Sequence, residues 1–345
     1  MSPTIDYSKR SFNYYPTSAI VVARCLDGQW SQPEVTSDFN ISLHSFAGVF
    51  HYAPSCFEGL KAFMGADGKV RIFRPEENAR RMRSSALYLD MPAPEEKLFV
   101  EMCLMCVRAN REHIPPYGSG ASLYLRPVLF GINPQLGINS SKDVMLVVMC
   151  SAVGTYSGAK ILSTGTAVIS RNYDRAATYG SGAFKIGANY AQSLRAYNIA
   201  HGHGYRELLF LDTATHTHIE EFGSSNFFAI KDGTYITPDS PSILPSITNR
   251  SLRTVAEHMG MKVETRKIMV GELAEFDEVG SCGTAVVITP LSRIDDKASL
   301  EGGEILHSYH FQQECGPWSH KLYNHIIAIQ HGLEEDRWGW CLEVD

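Results

Sequence analysis

The segment GAFKIGANYAQSL, residues 182–194, places a single lysine inside a run of small and apolar residues. Lys185 lies between Phe184 and Ile186, and Tyr190 follows it five residues later. Apolar neighbours tend to remove water from an amine, which lowers its pKa and makes it a better nucleophile. Such a lysine can form a covalent bond with a carbonyl compound. The segment therefore makes Lys185 a candidate catalytic residue.

Apolar neighbours alone do not single out this lysine. Lys61, Lys160 and Lys262 are flanked in the same way, and most such side chains keep the ammonium in water by extending along the surface. A dinucleotide-binding interpretation of YGSGAFKIG, residues 179–187, fails on spacing. Lys185 occupies the position of the third glycine in the G-x-G-x-x-G motif.

The composition is that of a globular chain large enough for two domains. It has 345 residues, of which 44% are hydrophobic and 20% charged. A formal net charge of −6 argues against a nucleic-acid partner and against docking on anionic membranes. The longest apolar run, residues 144–150, is far shorter than the ~20 residues of a membrane-spanning helix. The first residues lack the apolar core of a signal peptide, so we expect a cytoplasmic protein.

The first half of the chain reads as a mixture of strands and helices. Strands are predicted at residues 70–74, 122–130 and 143–153, and helices begin at Pro75 and at Glu95. Apolar residues recur at helical spacing in the first of these helices and predict its buried face: Ala79, Met82, Ala86 and Leu89.

The second half follows a stretch rich in Gly, Ser and Thr, which we interpret as a connection between domains. We expect an N-terminal α+β domain over 1–155, a connection over 156–168 and a C-terminal domain over 169–345. The predicted elements are helices at 189–200 and before Gly260, and strands at 207–212, at 226–238 with a turn at Asp232-Gly233, in MKVETRKI, and in GTAVVITPL.

Seven segments, taken together and in order, resemble the branched-chain amino-acid aminotransferases. They span about residues 51–290 and read HYAPSCFEGLKAF, IFRPEENARRM, SLYLRPVLFG, GAFKIGANYAQSL, IEEFGSSNFF, SILPSITNRS and CGTAVVITP. These aminotransferases use pyridoxal 5′-phosphate and have fold type IV. The resemblance implies a two-domain fold of mixed α/β and α+β character, similar to D-amino-acid aminotransferase, with the active site in the cleft between the domains.

The resemblance assigns the groups that would hold the cofactor ring. Lys185 would bind the cofactor covalently and move the proton at the substrate α-carbon. Tyr190 would hydrogen-bond the phenolic oxygen of the cofactor. Glu221 would face the pyridine nitrogen and favour its protonation, with Glu220 as a solvated neighbour.

The phosphate group would be held by one cation and several N–H and O–H donors. The family pattern places the cation at Arg81, although a helical wheel puts Arg83 nearer the apolar face of the helix. The remaining phosphate ligands implied by the resemblance are the backbone amides of Ile247 and Thr248, at a helix start, and the hydroxyls of Ser224 and Thr284. Hydroxyl residues at helix starts are also common as plain N-caps.

The same resemblance supplies a substrate pocket. Aromatic walls suit an aliphatic side chain, and an arginine suits the second carboxylate of glutamate. The implied pocket residues are Tyr52, Phe57, Tyr124 and Arg126, with the amides of Thr284 and Ala285 for the α-carboxylate. Leu136 and Ile138 would reach the pocket of the neighbouring subunit, which implies a homodimer with a shared active site.

Three positions depart from the usual family pattern. Ala188 and Ser246 stand where glycine is common, and Val286 replaces a smaller residue or a cysteine. These changes leave the cofactor chemistry intact. Because Ser246 and Val286 border the implied pocket, the ranking of branched-chain, methionine and aromatic substrates stays open.

Cysteine and histidine pairs offer other interpretations. Cys103 and Cys106 form a C-x-x-C, but no second pair at zinc spacing accompanies them, so the inner face of a helix is preferred over a metal or redox pair. The motifs HGHG (201–204) and THTH (215–218) are interpreted as solvated turns. We expect no metal site.

The implied activity is transamination of leucine, isoleucine or valine with 2-oxoglutarate. One alternative is another fold type IV enzyme, a D-amino-acid aminotransferase or an aminodeoxychorismate lyase, against which the segments LYLRP and HYAPSCFEGLKAF argue. A second alternative is a binding protein that has lost its active site. It is disfavoured because Lys185, Tyr190, Glu221 and Arg81 are all present.

Overall fold

A computed structural model describes residues 6–7, 10–154 and 162–345, which form two compact units. The first unit contains the described residues up to 154, Phe184–Ala188 and Ala328–Asp345. The second contains residues 162–183 and Asn189–Ile327. Residues 156–161 of the predicted connection lie outside the described residues.

The first unit is built on an antiparallel sheet. Its strands run in the order β18-β6-β5-β7-β8-β1-β2, with β3 paired to β1 and β4 to β7. Their bounds are β1 (Ile20–Leu26), β2 (Gln29–Trp30), β3 (Glu34–Thr36), β4 (Ser55–Phe57), β5 (Leu60–Met64), β6 (Val70–Phe73), β7 (Ser122–Gly131), β8 (Val144–Val153) and β18 (Cys341–Val344).

Two helices cover one face of this sheet. The helices of the unit are α1 (Gly48–Tyr52), α2 (Pro75–Tyr88) and α3 (Glu96–Ala109), with a 3-10 turn at Arg111–His113. Pro75 begins α2 as predicted, and the predicted apolar face of α2 packs into the core with α3 and the strands. Burial of this apolar face is what holds an amphipathic helix on a sheet.

Side chains of strand β7 alternate between the two faces of the sheet. Leu123 and Leu125 point into the core formed with α2 and α3, and both are fully buried. The alternate residues Tyr124 and Arg126 therefore lie on the opposite face. Lys61 of β5 pairs directly with Tyr124 and shares that face. The period of two along LYLRP thus divides core residues from predicted site residues.

The second unit contains a closed ring of six strands. The order β11-β10-β9-β16-β15-β12 is closed by pairing of β11 with β12, while β13 and β14 extend from β12 and β17 pairs with β16. Their bounds are β9 (Gly165–Ile169), β10 (Glu207–Leu211), β11 (Ile219–Phe222), β12 (Asn226–Lys231), β13 (Thr234–Pro238), β14 (Lys262–Arg266), β15 (Glu278–Gly283), β16 (Val287–Lys297) and β17 (Ile305–His310).

A second hydrophobic core belongs to this ring. It contains Leu209, Phe222 and Phe227, all fully buried. The remaining helices of the chain are α4 (Gly187–Gly202), α5 (Ile247–His258) and α6 (Pro317–Gln330), with a 3-10 turn at Val270–Glu275. No helix among the described residues combines the length and the apolar character needed to cross a bilayer.

Most predicted elements are confirmed, and two boundaries differ. The predicted strand GTAVVITPL is interrupted, because residues 284–286 form a turn between β15 and β16. The predicted C-terminal domain, 169–345, loses its end to the first unit, because β18 pairs with β6. That pairing joins residues far apart in sequence, and no local pattern indicates it.

Candidate active site

The backbone of Lys185 is held from both sides within the first unit. The Phe57 amide donates to the Lys185 carbonyl at 3.0 Å, and the Lys185 amide donates to the Ser85 hydroxyl of α2 at 2.9 Å. A bridge between Cys56 and Ile186 extends the pairing to β4. The lysine is thus fixed by a strand and a helix rather than by a loop of its own.

The Lys185 side chain lies against an aromatic ring. Its Nζ is 4.8 Å from the centroid of the Phe57 ring, and the Arg126 guanidinium carbon is 4.9 Å from the same centroid. Aromatic faces attract cations at such distances. Phe184 stacks on Tyr88 at a centroid distance of 4.0 Å. The structure therefore brings together three predicted residues, Lys185, Phe57 and Arg126.

Arg126 has the features of a carboxylate receptor. Its guanidinium carbon is 5.4 Å from the Tyr124 ring, and its Nη2 donates weakly to the Tyr124 hydroxyl at 3.4 Å. Its Nε is buried and has no hydrogen-bond partner among the described residues. A buried donor without a partner is costly, and a carboxylate oxygen would satisfy it. This observation fits the predicted role of Arg126.

Lys61, a lysine without an assigned role in the sequence, stands on the same sheet face. Burial lowers the pKa of Lys61 to about 8. In the sequence, Lys61 and Lys185 both have apolar neighbours, which tend to remove water from the amine. Apolar neighbours alone do not show whether Lys61 or Lys185 is the catalytic lysine.

Tyr52 is attached to the segment that carries Leu136 and Ile138. Its hydroxyl donates to the Leu136 carbonyl at 2.6 Å. The side chains of Leu136 and Ile138 are 73% and 86% exposed. Large apolar side chains exposed to this degree on one short segment are typical of a surface that contacts another molecule.

Arg81 is buried on α2 in an ion pair that the sequence did not indicate. Its Nε and Nη2 donate to the two Glu58 carboxylate oxygens at 2.7 and 2.8 Å, and Asn78 Nδ2 donates to Glu58 at 2.7 Å. The helical-wheel preference for Arg83 is wrong, because Arg83 is exposed while Arg81 is buried. Glu58 supplies the charge that allows an arginine to lie beside the core.

The second unit holds Glu221 in a polar cage. Arg175 Nη2 is 2.9 Å from Glu221 Oε1, which also accepts from the Leu244 amide at 2.9 Å. Asn226 Nδ2 donates to Oε2 at 2.7 Å. Glu221 and Arg175 are both buried. A cation and hydrogen bonds to a carboxylate favour its charged form, as the predicted role of Glu221 requires.

The expectation that Glu220 is solvated is wrong. All four residues of β11 are buried, so alternation along this strand does not separate core from solvent. Glu220 accepts hydrogen bonds from the hydroxyls of Ser240 and Ser242. The two adjacent glutamates are therefore both buried, each with its own set of partners.

Helix α5 begins at Ile247, in the segment to which the resemblance assigns phosphate-binding amides. Ile247 and Thr248 form its first turn and are buried. Ser246 is the N-cap, and its hydroxyl accepts from the Asn249 amide at 3.1 Å. The first amides of a helix have no partner within the helix and favour an anion. Ser246, where the family often has glycine, thus acts as a helix cap.

Thr284 and Ala285 lie in the turn between β15 and β16. Val287, which follows this turn, has φ of +64°, a conformation rare for a β-branched residue. The Ile288 amide donates to the Val286 carbonyl at 2.8 Å and closes a three-residue turn around Val287. A Cβ at Gly283 would lie 3.9 Å from the Ser224 carbonyl, so Ser224 and this turn are neighbours.

Tyr190 lies in the first turn of α4 and is half-buried. The residue before it, Asn189, donates to the Ser181 carbonyl at 2.8 Å and accepts from the Ser181 hydroxyl. These bonds fix the loop that precedes the helix. Lys185 belongs to the first unit, and Tyr190 to the second.

The cysteine pair of α3 is part of the core. Cys103 and Cys106 are fully buried, and burial raises the pKa of the Cys103 thiol. The described residues contain no group of three or more His, Cys, Asp or Glu side chains arranged to hold a metal ion.

The donor set fits pyridoxal phosphate. In the first unit, a fixed lysine and a buried arginine suit the aldehyde and the phosphate of that molecule. In the second unit, considered by itself, the start of α5 suits an anion and the buried Glu221 suits a protonated ring nitrogen. Arg126 Nε, which has no hydrogen-bond partner among the described residues, is chemically suited to a carboxylate.

Comparisons with known proteins agree with this chemistry. The profile of the family Amino-transferase class IV matches residues 55–294. The chain is similar to a branched-chain-amino-acid aminotransferase of Helicobacter pylori, with 42% identity over 99% of this chain and 98% of the relative. A protein of the same name from Haemophilus influenzae is 38% identical over 99% of both chains.

Solved structures give the same result for the fold. The structure of the Escherichia coli branched-chain amino acid aminotransferase matches with a TM-score of 0.80 and 27% identity, over 96% of this chain and 100% of that one. The similarity confirms the predicted fold class, a mixed α/β and α+β chain of fold type IV. On the family profile and the near-full-length relatives, this chain belongs to the class IV aminotransferases, a family of enzymes.

Proposed function

We propose that this enzyme transfers the amino group of leucine, isoleucine or valine to 2-oxoglutarate, with pyridoxal 5′-phosphate bound to Lys185. The observation that carries the proposal is the 42% identity, over 99% of the chain, to a relative named for the branched-chain activity. The products are branched-chain 2-oxo acids and L-glutamate.

Lys185 is the catalytic residue of this proposal. When bound, pyridoxal phosphate supplies an electron sink that stabilises negative charge at the substrate α-carbon. Lys185 holds the cofactor covalently in the resting enzyme and moves the proton at the α-carbon once its amine is released. The two hydrogen bonds to its backbone, from Phe57 and to Ser85, keep the base in place.

The other cofactor contacts bind either the ring or the phosphate group. Glu221 holds a proton at the ring nitrogen, and Tyr190 donates to the phenolic oxygen. Arg81, which is paired with Glu58, supplies the cation for the phosphate. The remaining phosphate donors are the amides of Ile247 and Thr248 and the hydroxyls of Ser224 and Thr284.

Three of the proposed substrate contacts, Phe57, Tyr124 and Arg126, come from one face of the sheet in the first unit. Phe57, Tyr124 and Tyr52 form apolar walls for a branched side chain. Arg126 receives the second carboxylate of glutamate and 2-oxoglutarate through its buried Nε. The amides of Thr284 and Ala285 bind the α-carboxylate, which all the substrates share.

A homodimer with a shared active site completes the proposal, in the cytoplasm. Leu136 and Ile138 are the most exposed apolar residues of their segment, and the neighbouring subunit would cover them. Light scattering of the purified protein should give twice the chain mass. Leu136→Glu with Ile138→Glu should lower both that mass and the activity.

The activity is tested with purified enzyme and pyridoxal phosphate. L-leucine with 2-oxoglutarate should give L-glutamate, and Lys185→Ala should abolish the reaction. Borohydride reduction followed by peptide mapping should find the cofactor on Lys185. Activity with D-alanine but not L-leucine would instead identify a D-amino-acid aminotransferase.

A further inference from the structure

Arg175, which the sequence did not mark, connects three parts of the second unit. Its Nη2 lies 2.9 Å from Glu221 Oε1 and donates to the Gly182 carbonyl at 3.1 Å and to the Ser242 carbonyl. The side chain is 7% exposed. A buried guanidinium is stable only with such partners, so its place is determined by these contacts.

The Glu221 contact is a pair of buried charges. The Arg175 and Glu221 side chains are 7% and 4% exposed, and a buried pair is screened little by solvent. The cation favours the ionised carboxylate and fixes the position of Oε1 together with the Leu244 amide. Asn226 fixes the other oxygen. Without Arg175, Glu221 would have only neutral donors among these partners.

The Gly182 contact joins Arg175 to the chain that leads to Lys185. Gly182 stands three residues before the lysine, and a Cβ there would lie 2.0 Å from the Ser242 carbonyl oxygen and 2.7 Å from Arg175 Nη2. The backbone at Gly182 is thus packed so closely against the Arg175 guanidinium that no side chain fits there. In addition, Gln192 of α4 donates to the Arg175 carbonyl at 2.9 Å.

From this geometry we propose that Arg175 is a positioning residue that acts on the cofactor through Glu221. It holds the carboxylate ionised and in a fixed orientation for the ring nitrogen of pyridoxal phosphate. The inference rests on the proposed function, since it concerns the residue opposite that nitrogen. Arg175 itself contacts neither the cofactor nor the substrate in this proposal.

A double-mutant cycle separates this role from a merely structural one. Arg175→Gln should lower kcat with L-leucine by about 10-fold to 100-fold, the range seen when residues that orient metal ligands are removed, and change KM by less than about threefold. In the Glu221→Gln background, the same change should lower kcat by less than about twofold. Equal losses in the two backgrounds would overturn the proposal.

A binding measurement gives a second readout independent of turnover. The Kd of pyridoxal phosphate for the apoprotein, measured by absorbance, should rise in Arg175→Gln but not further in the Glu221→Gln background. Arg175→Lys keeps the charge and is expected to recover part of both effects. If Arg175→Gln does not fold, Arg175→Lys takes its place in both cycles. Equal effects of Arg175→Lys in the parental and Glu221→Gln backgrounds would also refute the proposal.

Arg171→Gln is the matched control. Arg171 belongs to the same segment and forms an ion pair with Asp296, its Nη2 lying 2.7 Å from Oδ2, and its side chain is 28% exposed. Its loss should leave kcat and the Kd of the cofactor unchanged, whereas an effect as large as that of Arg175→Gln would show that any arginine of this segment acts structurally. A parent enzyme that binds the cofactor but is inactive with L-leucine would refute the proposed function, while the binding cycle would still test Arg175.

Discussion

The hydroxyl of Tyr124 occupies the space that a side chain at Gly59 would need. A Cβ built at Gly59 falls 1.9 Å from the Tyr124 hydroxyl oxygen and 2.8 Å from its ring carbon Cζ. Gly59 belongs to the segment CFEGLKAF and is itself buried. The glycine is therefore required by the tyrosine beside it, which is a predicted wall of the substrate pocket.

Gly59→Ala should displace Tyr124 and, with it, the neighbouring Arg126. We expect kcat/KM with L-leucine to fall by about 10-fold to 100-fold, because small displacements of positioning groups have effects of that size. The free energy of unfolding should decrease by about 1–3 kcal/mol, as overpacking usually costs. Steady-state kinetics and urea unfolding measure the two effects.

Gly202→Ala is the control for this substitution. A Cβ at Gly202, the last residue of α4, meets nothing within 4 Å. The variant should keep the parental kcat/KM and unfold within about 1 kcal/mol of the parent. If Gly59→Ala behaves like Gly202→Ala, Tyr124 moves without consequence and has no part in substrate binding.

The buried pair of Glu58 and Arg81 should contribute strongly to stability. Glu58 is fully buried, and its replacement by Gln would leave the charge of Arg81 beside the core without its counter-ion. Loss of one partner of a buried pair typically costs about 3–5 kcal/mol. We therefore expect the free energy of unfolding of the Glu58→Gln apoprotein to fall by about 3 kcal/mol, measured in urea.

The same helix provides a more exposed pair for comparison. The side chains of Glu77 and Arg80, which contact each other, are 18% and 55% exposed. Glu77→Gln should cost less than about 1 kcal/mol, since solvent screens the pair and the charge at the helix start adds little. Equal costs for the two substitutions would mean that Glu58 is not an essential counter-ion of Arg81.

Thiol labelling tests the assignment of the C-x-x-C pair to the core. Of the eight cysteines, all are unpaired, and only Cys315 and Cys341 are half-buried. Burial raises the pKa of these two thiols to about 11 and about 12, so their labelling at pH 8 should be slow. The other six should react with Ellman's reagent only after unfolding in urea. Labelling of Cys103 or Cys106 in the native protein would revive the redox interpretation.

Local signals in the sequence predicted the elements well. Pro75 begins α2, Gly260 follows α5 with φ of +81°, and Asp232 and Gly233 both have positive φ in the turn between β12 and β13. Each of these residues restricts the backbone directly. Helix ends and turns that depend on one or two residues can therefore be predicted from a single sequence.

Partners distant in sequence could not be predicted. Glu58 and Arg81 are 23 residues apart, and Arg175 meets Glu221 only in the folded second unit. The burial of Glu220 also depends on the tertiary fold. Strand β11 is covered on both faces, so its sequence shows no alternation of buried and exposed residues. The helical wheel placed Arg83 nearer the core than Arg81, and the structure shows the reverse, because the wheel could not include Glu58.

Glu207 should make stability depend on pH. This carboxyl lies on β10 and is buried, with one hydrogen bond from the Ser281 hydroxyl at 3.1 Å. Burial raises the pKa of Glu207 to about 7, against the smaller effects of Ser281 and Arg206. Between its unfolded pKa, near 4.5, and about 7, the folded protein holds a proton that the unfolded chain has lost. Stability from this group is therefore complete below that window and is lost as the pH rises through it.

Glu207→Gln removes this titration. Each pKa unit corresponds to about 1.4 kcal/mol, so at pH 8 the variant should gain about 3 kcal/mol in free energy of unfolding relative to its difference from the parent at pH 4.5. Urea unfolding of the apoprotein at several pH values measures this change, and Glu304→Gln, an exposed glutamate of the same unit, is the control. A difference between Glu207→Gln and the parent that stays constant from pH 4.5 to 8 would mean that Glu207 ionises alike in the folded and unfolded chains. Burial would then not govern the charge of Glu207.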